Sequence, residues 1–307
     1  MKIALPDLVS NSYFPAIAAV DLGLFKAEGL DMTLEMIFPV DKCFQAMADG
    51  EIDFIAGSSH APLAAFPDFK GAKLIGALAH GMYWFLVMRK DLNAKKGDLS
   101  VVKGKRIGAA PWVDIGLKRM LAEGGIDIAK DQVEIAPVPG ATGPGVSFGV
   151  TAAKALEEGK LDGFWANGMG AEVAVTRGVG TIVVDVRRGD GPKGAFGYTQ
   201  PALVTTDRLI KSNPDAVAAA VRALVATHKT LKADVSQATA VGRKRFPEQE
   251  AGLIAELIRR DLPYYDATIS EDFVRSMCKF SREIGKLSTD LSYDQVVHTG
   301  ITHLWKA

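Results

Sequence analysis

Short apolar runs alternate with stretches whose apolar positions recur every three or four residues, from residue 1 to about residue 205. That alternation predicts strands and helices in turn, the pattern of an open α/β sheet. Ile3-Ala4-Leu5 reads as the first strand, followed by a polar loop from Asp7 to Ser12. Phe14 to Leu24 carries helical spacing, with a stop signal at Gly23. Met32 to Phe38 is a second strand, Cys43 to Ala48 a short helix ended at Gly50, and Ile52 to Ala56 a third strand. Leu74 to Leu78 and Trp84 to Met88 are two more.

The pattern then restarts. Lys105 to Ala109 is a strand, Val113 to Glu123 a helix and Val133 to Ala136 a strand. A Gly/Pro-rich loop, Pro139 to Gly149, precedes a helix at Val150 to Glu158, a strand at Leu161 to Trp165, a further helix, and a strand at Thr181 to Val184. Ala202 to Thr205 reads as a strand returning to the first sheet. Beyond it the spacing is helical over Pro214 to Lys232, Val235 to Arg245, Glu248 to Leu262, Glu271 to Gly285 and Tyr293 to Trp305. The expected organisation is a discontinuous first lobe, residues 1–89 with 200–307, and a second lobe, residues 90–199. Crossovers are expected near Lys90–Asp91 and Tyr198–Gln200, with no long linker at either.

Composition narrows the function. The 307 residues supply about two domains' worth of chain. Lys and Arg number 36 and Asp and Glu 36, so no basic face marks a nucleic-acid partner. Two cysteines, Cys43 and Cys278, make neither a disulfide framework nor a zinc cluster. No run approaches the roughly 18 apolar residues of a membrane span. MKIALP reads as a strand, not as a secretory leader. The compartment is therefore periplasmic if a leader has been removed, and otherwise cytoplasmic. No metal or cofactor motif is found: there is no HExxH, CxxC or kinase set.

Four phrases in order carry a resemblance. FPAIAAVDLGLFKAEGLDMTLEM, QAMADGEIDFIAGSS, VVKGKRIGAAP and AAKALEEGKLDGFWANG, spanning residues 1 to about 185, resemble the solute-binding proteins of ABC importers. The class is the one that handles sulfonates, nitrate, taurine and thiamine-pyrimidine precursors. The resemblance implies the type 2 periplasmic-binding fold: two lobes, each a mixed sheet flanked by helices, a hinge of two crossovers, and a ligand in the interlobe cleft. It implies a small-molecule ligand and ABC permease partners, without a cofactor. Enzymes share this fold, including menaquinone-pathway enzymes, a sulfinate-releasing hydrolase and the yeast-type thiamine-pyrimidine synthase, so fold alone does not fix function.

Ligands of open α/β sheets sit beyond the carboxyl ends of strands, where helix N-termini offer unpaired N–H groups. The candidate contacts follow. Ser10, Asn11 and Tyr13 lie after the first strand, where Asn11 or Ser12 equally suits a helix cap. Asp41 follows the second strand, beside Cys43, whose catalytic use would require a basic partner such as His60 or His80. Ser58, Ser59 and His60 follow the third, with Gly57 permitting close approach. His80 and Tyr83 sit at the edge of the first lobe, beside Trp84. Trp112 and Asp114 lie in PWVDIG, where the related importers often carry a Gly/Ser/Thr-rich loop that suits an anion. That departure favours a planar ring on Trp112 over a sulfonate or nitrate. Asp114 serves either the ligand or the helix. Residues 140–147 are a candidate anion cradle, or a plain loop. Trp165 and Asn167 end a strand in which Phe164 and Trp165 face opposite ways, and Thr199 and Gln200 mark the return. Glu157-Glu158 and Arg259-Arg260 read as solvated helix faces.

The leading expectation is a binding protein that closes on a small, polar, ring-bearing solute and performs no covalent chemistry. The alternative is a cytosolic enzyme of the same fold, motivated by His60, His80, Asp41, Asp114 and Cys43. A ligand-sensing regulatory domain is disfavoured, because the first lobe begins at residue 1.

Overall fold

A computed structural model describes residues 1–141 and 146–306. The chain divides into two compact units, Met1–Gly81 with Gly197–Ala307, and Met82–Phe196. The candidate cradle at 140–147 falls partly on residues 142–145, outside the described residues.

In the first unit, β1 (Lys2–Leu5), α1 (Phe14–Asp21), α2 (Leu24–Ala27), β2 (Thr33–Met36), α3 (Val40–Ala48), β3 (Phe54–Ser58) and β4 (Ala72–Ala77) follow in order. Pro15 starts α1 where its missing N–H costs nothing, and Gly23, at φ +73°, turns the chain into α2. The second unit holds β5 (Phe85–Arg89), β6 (Arg106–Ala109), α4 (Asp114–Glu123), β7 (Glu134–Ala136), α5 (Phe148–Glu157), β8 (Gly163–Ala166), α6 (Gly168–Thr176) and β9 (Gly180–Asp185). The chain returns to the first unit through β10 (Pro201–Thr206). It ends in α7 (Asp207–Ser212), α8 (Pro214–Ala233), α9 (Gln237–Arg245), α10 (Glu248–Asp261), α11 (Glu271–Glu283) and α12 (Tyr293–Val296).

The first sheet has the order β2-β1-β3-β10-β4 and the second β7-β6-β8-β5-β9. In the first, β1 runs parallel to β2 and β3, and β10 runs antiparallel to β3 and β4. The register Ser58↔Pro201 and Ala202↔Ala77 therefore brings the carboxyl ends of β3 and β4 to the amino end of β10. The second sheet repeats this design. β6 is parallel to β7 and β8, while β5 is antiparallel to β8 and β9. Its strand-end edge collects the loops after β6, β7, β8 and β9 and the residues before β5. Central strands are buried on both faces, which explains their unbroken apolar runs. β3 and β8 are buried at every position.

Two expectations need correction. The Trp84–Met88 run was assigned to the first lobe, yet it becomes β5, inserted between β8 and β9 of the second sheet. Leu86, Val87 and Met88 are wholly buried there. The crossings accordingly fall at Gly81–Met82 and Phe196–Gly197, not near residues 90 and 199. The last helix is also not continuous. Val297 leaves it to bridge Leu74 of β4, and His298 N–H donates to the Leu74 carbonyl at 3.0 Å. The chain then finishes as a 3₁₀ segment, Thr299–Lys306.

Candidate functional site

In the first unit the polar strand-end loops are buried and hydrogen-bonded among themselves. After β1, Asp7 accepts from Val9 N–H at 2.9 Å and Ser10 Oγ accepts from Ser12 N–H at 3.1 Å. Such local side-chain to backbone bonds fix a loop without secondary structure. Asn11 is no helix cap: its Nδ2 donates to Asp261 Oδ2 at 2.8 Å, and both residues are buried. Tyr13 stands at the amino end of α1 with 5% of its surface exposed. Because Asp261 closes α10, this one bond ties the first loop to a helix 250 residues away. Asn11→Ala should remove a hydrogen bond to a buried carboxylate and cost about 2 kcal/mol. Urea unfolding would read that loss as a lower midpoint at constant slope.

The densest polar cluster joins the end of β3 to the start of β10. Ser59 N–H donates to the Gln200 carbonyl at 2.9 Å, and Gln200 N–H returns a bond to Ser59 Oγ at 3.2 Å. Thr199 Oγ1 lies 3.1 Å from Ser59 Oγ and 3.0 Å from His60 Nδ1. Ser58, Ser59, His60 and Thr199 are fully buried and Gln200 nearly so. The His60 ring meets Phe280 edge-on at 5.4 Å, and Phe280 stacks on Tyr198 at 4.6 Å and 11°. Ser58 Oγ and Gln200 Nε2 are buried and have no hydrogen-bond partner among the described residues.

The second unit offers aromatic rings in the equivalent place. Tyr83 and Trp84, just before β5, have ring centroids 4.7 Å apart, and Trp84 meets Trp165 edge-on at 6.3 Å. Phe164 and Trp165 are both fully buried, so the pleat places one ring on each covered face. Trp165 Nε1 is buried and lacks a partner among the described residues. After β6, Trp112 is half-buried and adopts φ +68°. A bulky side chain in the left-handed region is strained by about 1–2 kcal/mol, and such strain gathers at functional positions. Asp114 begins α4 and pairs with Lys118 one turn on, at 2.5 Å. Asn167 caps α6, its Oδ1 accepting from Gly170 N–H at 3.1 Å.

His80 and Cys43 are bonded to backbone carbonyls, and Asp41 is not. His80 Nε2 lies 2.9 Å from the Thr268 carbonyl, and His80 N–H donates to the Tyr264 carbonyl at 2.8 Å, so the residue braces the end of the first unit. Asp41 lies in the first turn of α3 but accepts no capping bond, and its buried Oδ1 has no partner among the described residues. Cys43 Sγ donates to the Ile37 carbonyl at 2.9 Å. Burial, with Asp41 adding to it, pushes the thiol far above its ordinary range, the opposite of what a nucleophilic cysteine requires. Among the described residues no His, Cys, Asp and Glu cluster could hold a metal.

Several residues escaped the sequence reading. Asp185 ends β9, and Arg187 and Arg188 follow it, at the same sheet edge as Trp112 and Asn167. Asp185 and Arg187 are buried, and Arg188 pairs with Asp185 at 3.2 Å. The signal available was a strand run, VVDV, entering two arginines at a strand end. Tyr198 and Phe280 were also missed, because their stacking joins segments 82 residues apart.

Comparison with known proteins agrees with this architecture. Solved structures superpose across nearly the whole chain. A Bordetella bronchiseptica RB50 protein is 22% identical over 96% of this chain and 91% of its own, with a TM-score of 0.74. The alkanesulfonate-binding protein of Xanthomonas axonopodis pv. citri, solved with MOPS, is 14% identical over 96% and 97%, with a TM-score of 0.71. The periplasmic nitrate-binding protein of Synechocystis PCC 6803 is 13% identical over 99% and 86%, also at 0.71. The chain thus has the fold of the periplasmic solute-binding proteins. A comparison with curated protein sequences gives no significant match. Residues 10–238, three quarters of the sequence, match one family description, and the chain belongs to that family, NMT1/THI5 like.

Proposed function

We propose that this protein is the solute-binding component of an ABC importer, and that it closes on a small, polar, ring-bearing molecule without transforming it. The observation that carries the reading is topological. Both crossings leave each unit from the sheet edge that bears its buried polar and aromatic side chains. Gly81–Met82 lies between the end of β4 and the start of β5, and Phe196–Gly197 between the end of β9 and the start of β10. A ligand touching both edges would favour a closed state in proportion to its contacts with each.

In this reading Ser58, Ser59, His60 and Thr199, with Ser10, Asn11, Tyr13, Asp41 and His80 around them, form the first unit's contribution. Tyr83, Trp112, Asp114, Trp165 and Asn167 form the second's. Trp112 supplies a ring face for stacking and Asn167 an amide for orientation. Location in the periplasm and docking to a permease follow from the same proposal. The raised pKa of buried Cys43 and the pairing of Asp114 with Lys118 count against a nucleophilic or general-base role for those two residues.

Titration calorimetry against pyrimidines, aromatic carboxylates and sulfonates tests the proposal. A ring-bearing solute should bind, and Trp112→Ala should weaken it about tenfold, the loss of one aromatic stacking contact. Binding confined to a small tetrahedral anion would reject the ring preference. Recovery of a chemically altered solute after long incubation would reject simple transport.

A further inference from the structure

We infer that Thr199 fixes His60 with its proton on Nε2, so that the first unit meets the solute with hydrogen-bond donors, and that it receives the solute's oxygen-acceptor head. The inference rests on the binding reading above but is built from hydrogen-bond accounting inside one unit.

The count starts at the backbone. Gln200 N–H donates to Ser59 Oγ at 3.2 Å, so that oxygen is an acceptor on one side. Ser59 has a single hydroxyl proton, and its other polar neighbour is Thr199 Oγ1 at 3.1 Å. The Ser59 proton therefore goes to Thr199. The Thr199 proton then has one remaining acceptor, His60 Nδ1 at 3.0 Å. The donors run in one direction: Gln200 N–H to Ser59, Ser59 to Thr199, Thr199 to His60. With a lone pair engaged on Nδ1, the neutral imidazole holds its proton on Nε2.

The reverse tautomer fails the same count. A proton on Nδ1 would donate to Thr199 Oγ1, and one of the two hydroxyl protons, on Thr199 or on Ser59, would then lack an acceptor. Thr199 and Ser59 are 0% exposed, so water does not replace it. An unmatched buried hydroxyl disfavours that arrangement about tenfold or more. His60 is thus set as a donor. Beside it on the same two strand ends lie Ser58 Oγ and Gln200 Nε2, both buried and without a hydrogen-bond partner among the described residues. Each carries a proton to give. Residues 58–60 and 198–200 contain no lysine or arginine, so recognition here is by neutral donors. The matching chemistry is an oxygen head with several lone pairs, of which a carboxylate is the type. Trp112 of the second unit is left for the ring.

Long-range ¹⁵N–¹H correlation spectra of the full chain test the tautomer without any solute. The five histidines are separated by single substitutions. His60 should show a bare Nδ1 and a protonated Nε2. Thr199→Val should populate the Nδ1–H form at least tenfold more, and Thr199→Ser should restore the wild-type spectrum. Serine keeps the hydroxyl, so it also separates loss of the bond from loss of fold. A protonated Nδ1 in the wild type, or a Thr199→Val spectrum unchanged at His60, overturns the assignment. For the head group, millimolar benzoate should shift the His60 Nε2–H resonance and benzylammonium should not. A resonance indifferent to benzoate, or moved equally by both, overturns the donor assignment. The transport reading would still stand or fall on the calorimetric panel.

Discussion

Gly170→Ala is expected to destabilise the protein by about 3 kcal/mol, although alanine normally favours a helix by about 1 kcal/mol over glycine. The reason is that α5 and α6 touch through backbone. A Cβ on Gly170 would lie 2.6 Å from both the Cα and the carbonyl oxygen of Gly149, atoms that cannot rotate away. The reciprocal Cβ on Gly149 would lie 2.7 Å from Asn167 Oδ1, the atom that caps α6. Relief requires moving one helix off the other, which forfeits packing as well as the cap. Gly252 provides the control. It lies in α10, is exposed, and has nothing within 4 Å of its would-be Cβ. Gly252→Ala should stabilise by about 1 kcal/mol through helix propensity alone. Chemical denaturation of both variants decides the matter, and equal, small effects would show that the α5–α6 contact is not as close as the geometry demands. The contact also fixes Asn167, whose side chain caps α6 at the end of β8.

The order of strands and helices was readable because each central strand is an unbroken apolar run and each amphipathic helix repeats every three or four positions. What pattern alone does not encode is the partner of a strand. FLVMR is buried on both faces in whichever sheet it enters, so nothing in its own residues assigns it to β8 and β9. The four-residue α12 illustrates the same limit. YDQV has helical spacing that continues through HTGITHLW, yet Val297 bridges Leu74 at the edge of β4.

The candidate site was legible where topology alone places residues. Ser58, Ser59 and His60 were proposed because a parallel strand ending in small polar residues opens at the edge where open α/β sheets take ligands. Thr199 was proposed because the chain must return through that edge. The bonds among them were not legible, since they join positions about 140 apart. Charged residues were misread for a related reason. Arg259-Arg260 reads as a solvated face, and Arg259 is exposed and pairs with Glu256, but Arg260 is half-buried and the adjoining Asp261 is buried against Asn11. Arg187 hides in VVDVRRGD, which has the composition of a surface turn. A buried charge is specified by its distant partner, and a single sequence does not show partners.

Acidification should cost the wild type about 3 kcal/mol of stability between pH 6.5 and pH 4, and His228 should account for it. His228 is buried in α8, and its Nε2 donates to the Leu78 carbonyl at 2.8 Å. Its ring lies 5.2 Å from Tyr265. Burial is the dominant cause that lowers its pKa to about 4, opposed by the Leu78 hydrogen bond. Lys232 and His80 push in the same direction as burial, and Asp266 opposes them. The folded protein keeps the ring neutral while the unfolded chain takes up a proton near pH 6.5. Unfolding is therefore proton-coupled in this window, stability is complete above pH 6.5, and it falls as pH drops towards 4. Below that point both states carry the proton and this loss stops. Carboxylates held low by their partners, such as Asp162 beside Arg106, lose their contribution at lower pH, so the two windows separate. His228→Gln keeps an amide donor for Leu78 and removes the titration. Urea midpoints at pH 7.5 and pH 4.5 should differ much less in this variant than in the wild type, whereas equal losses would acquit His228.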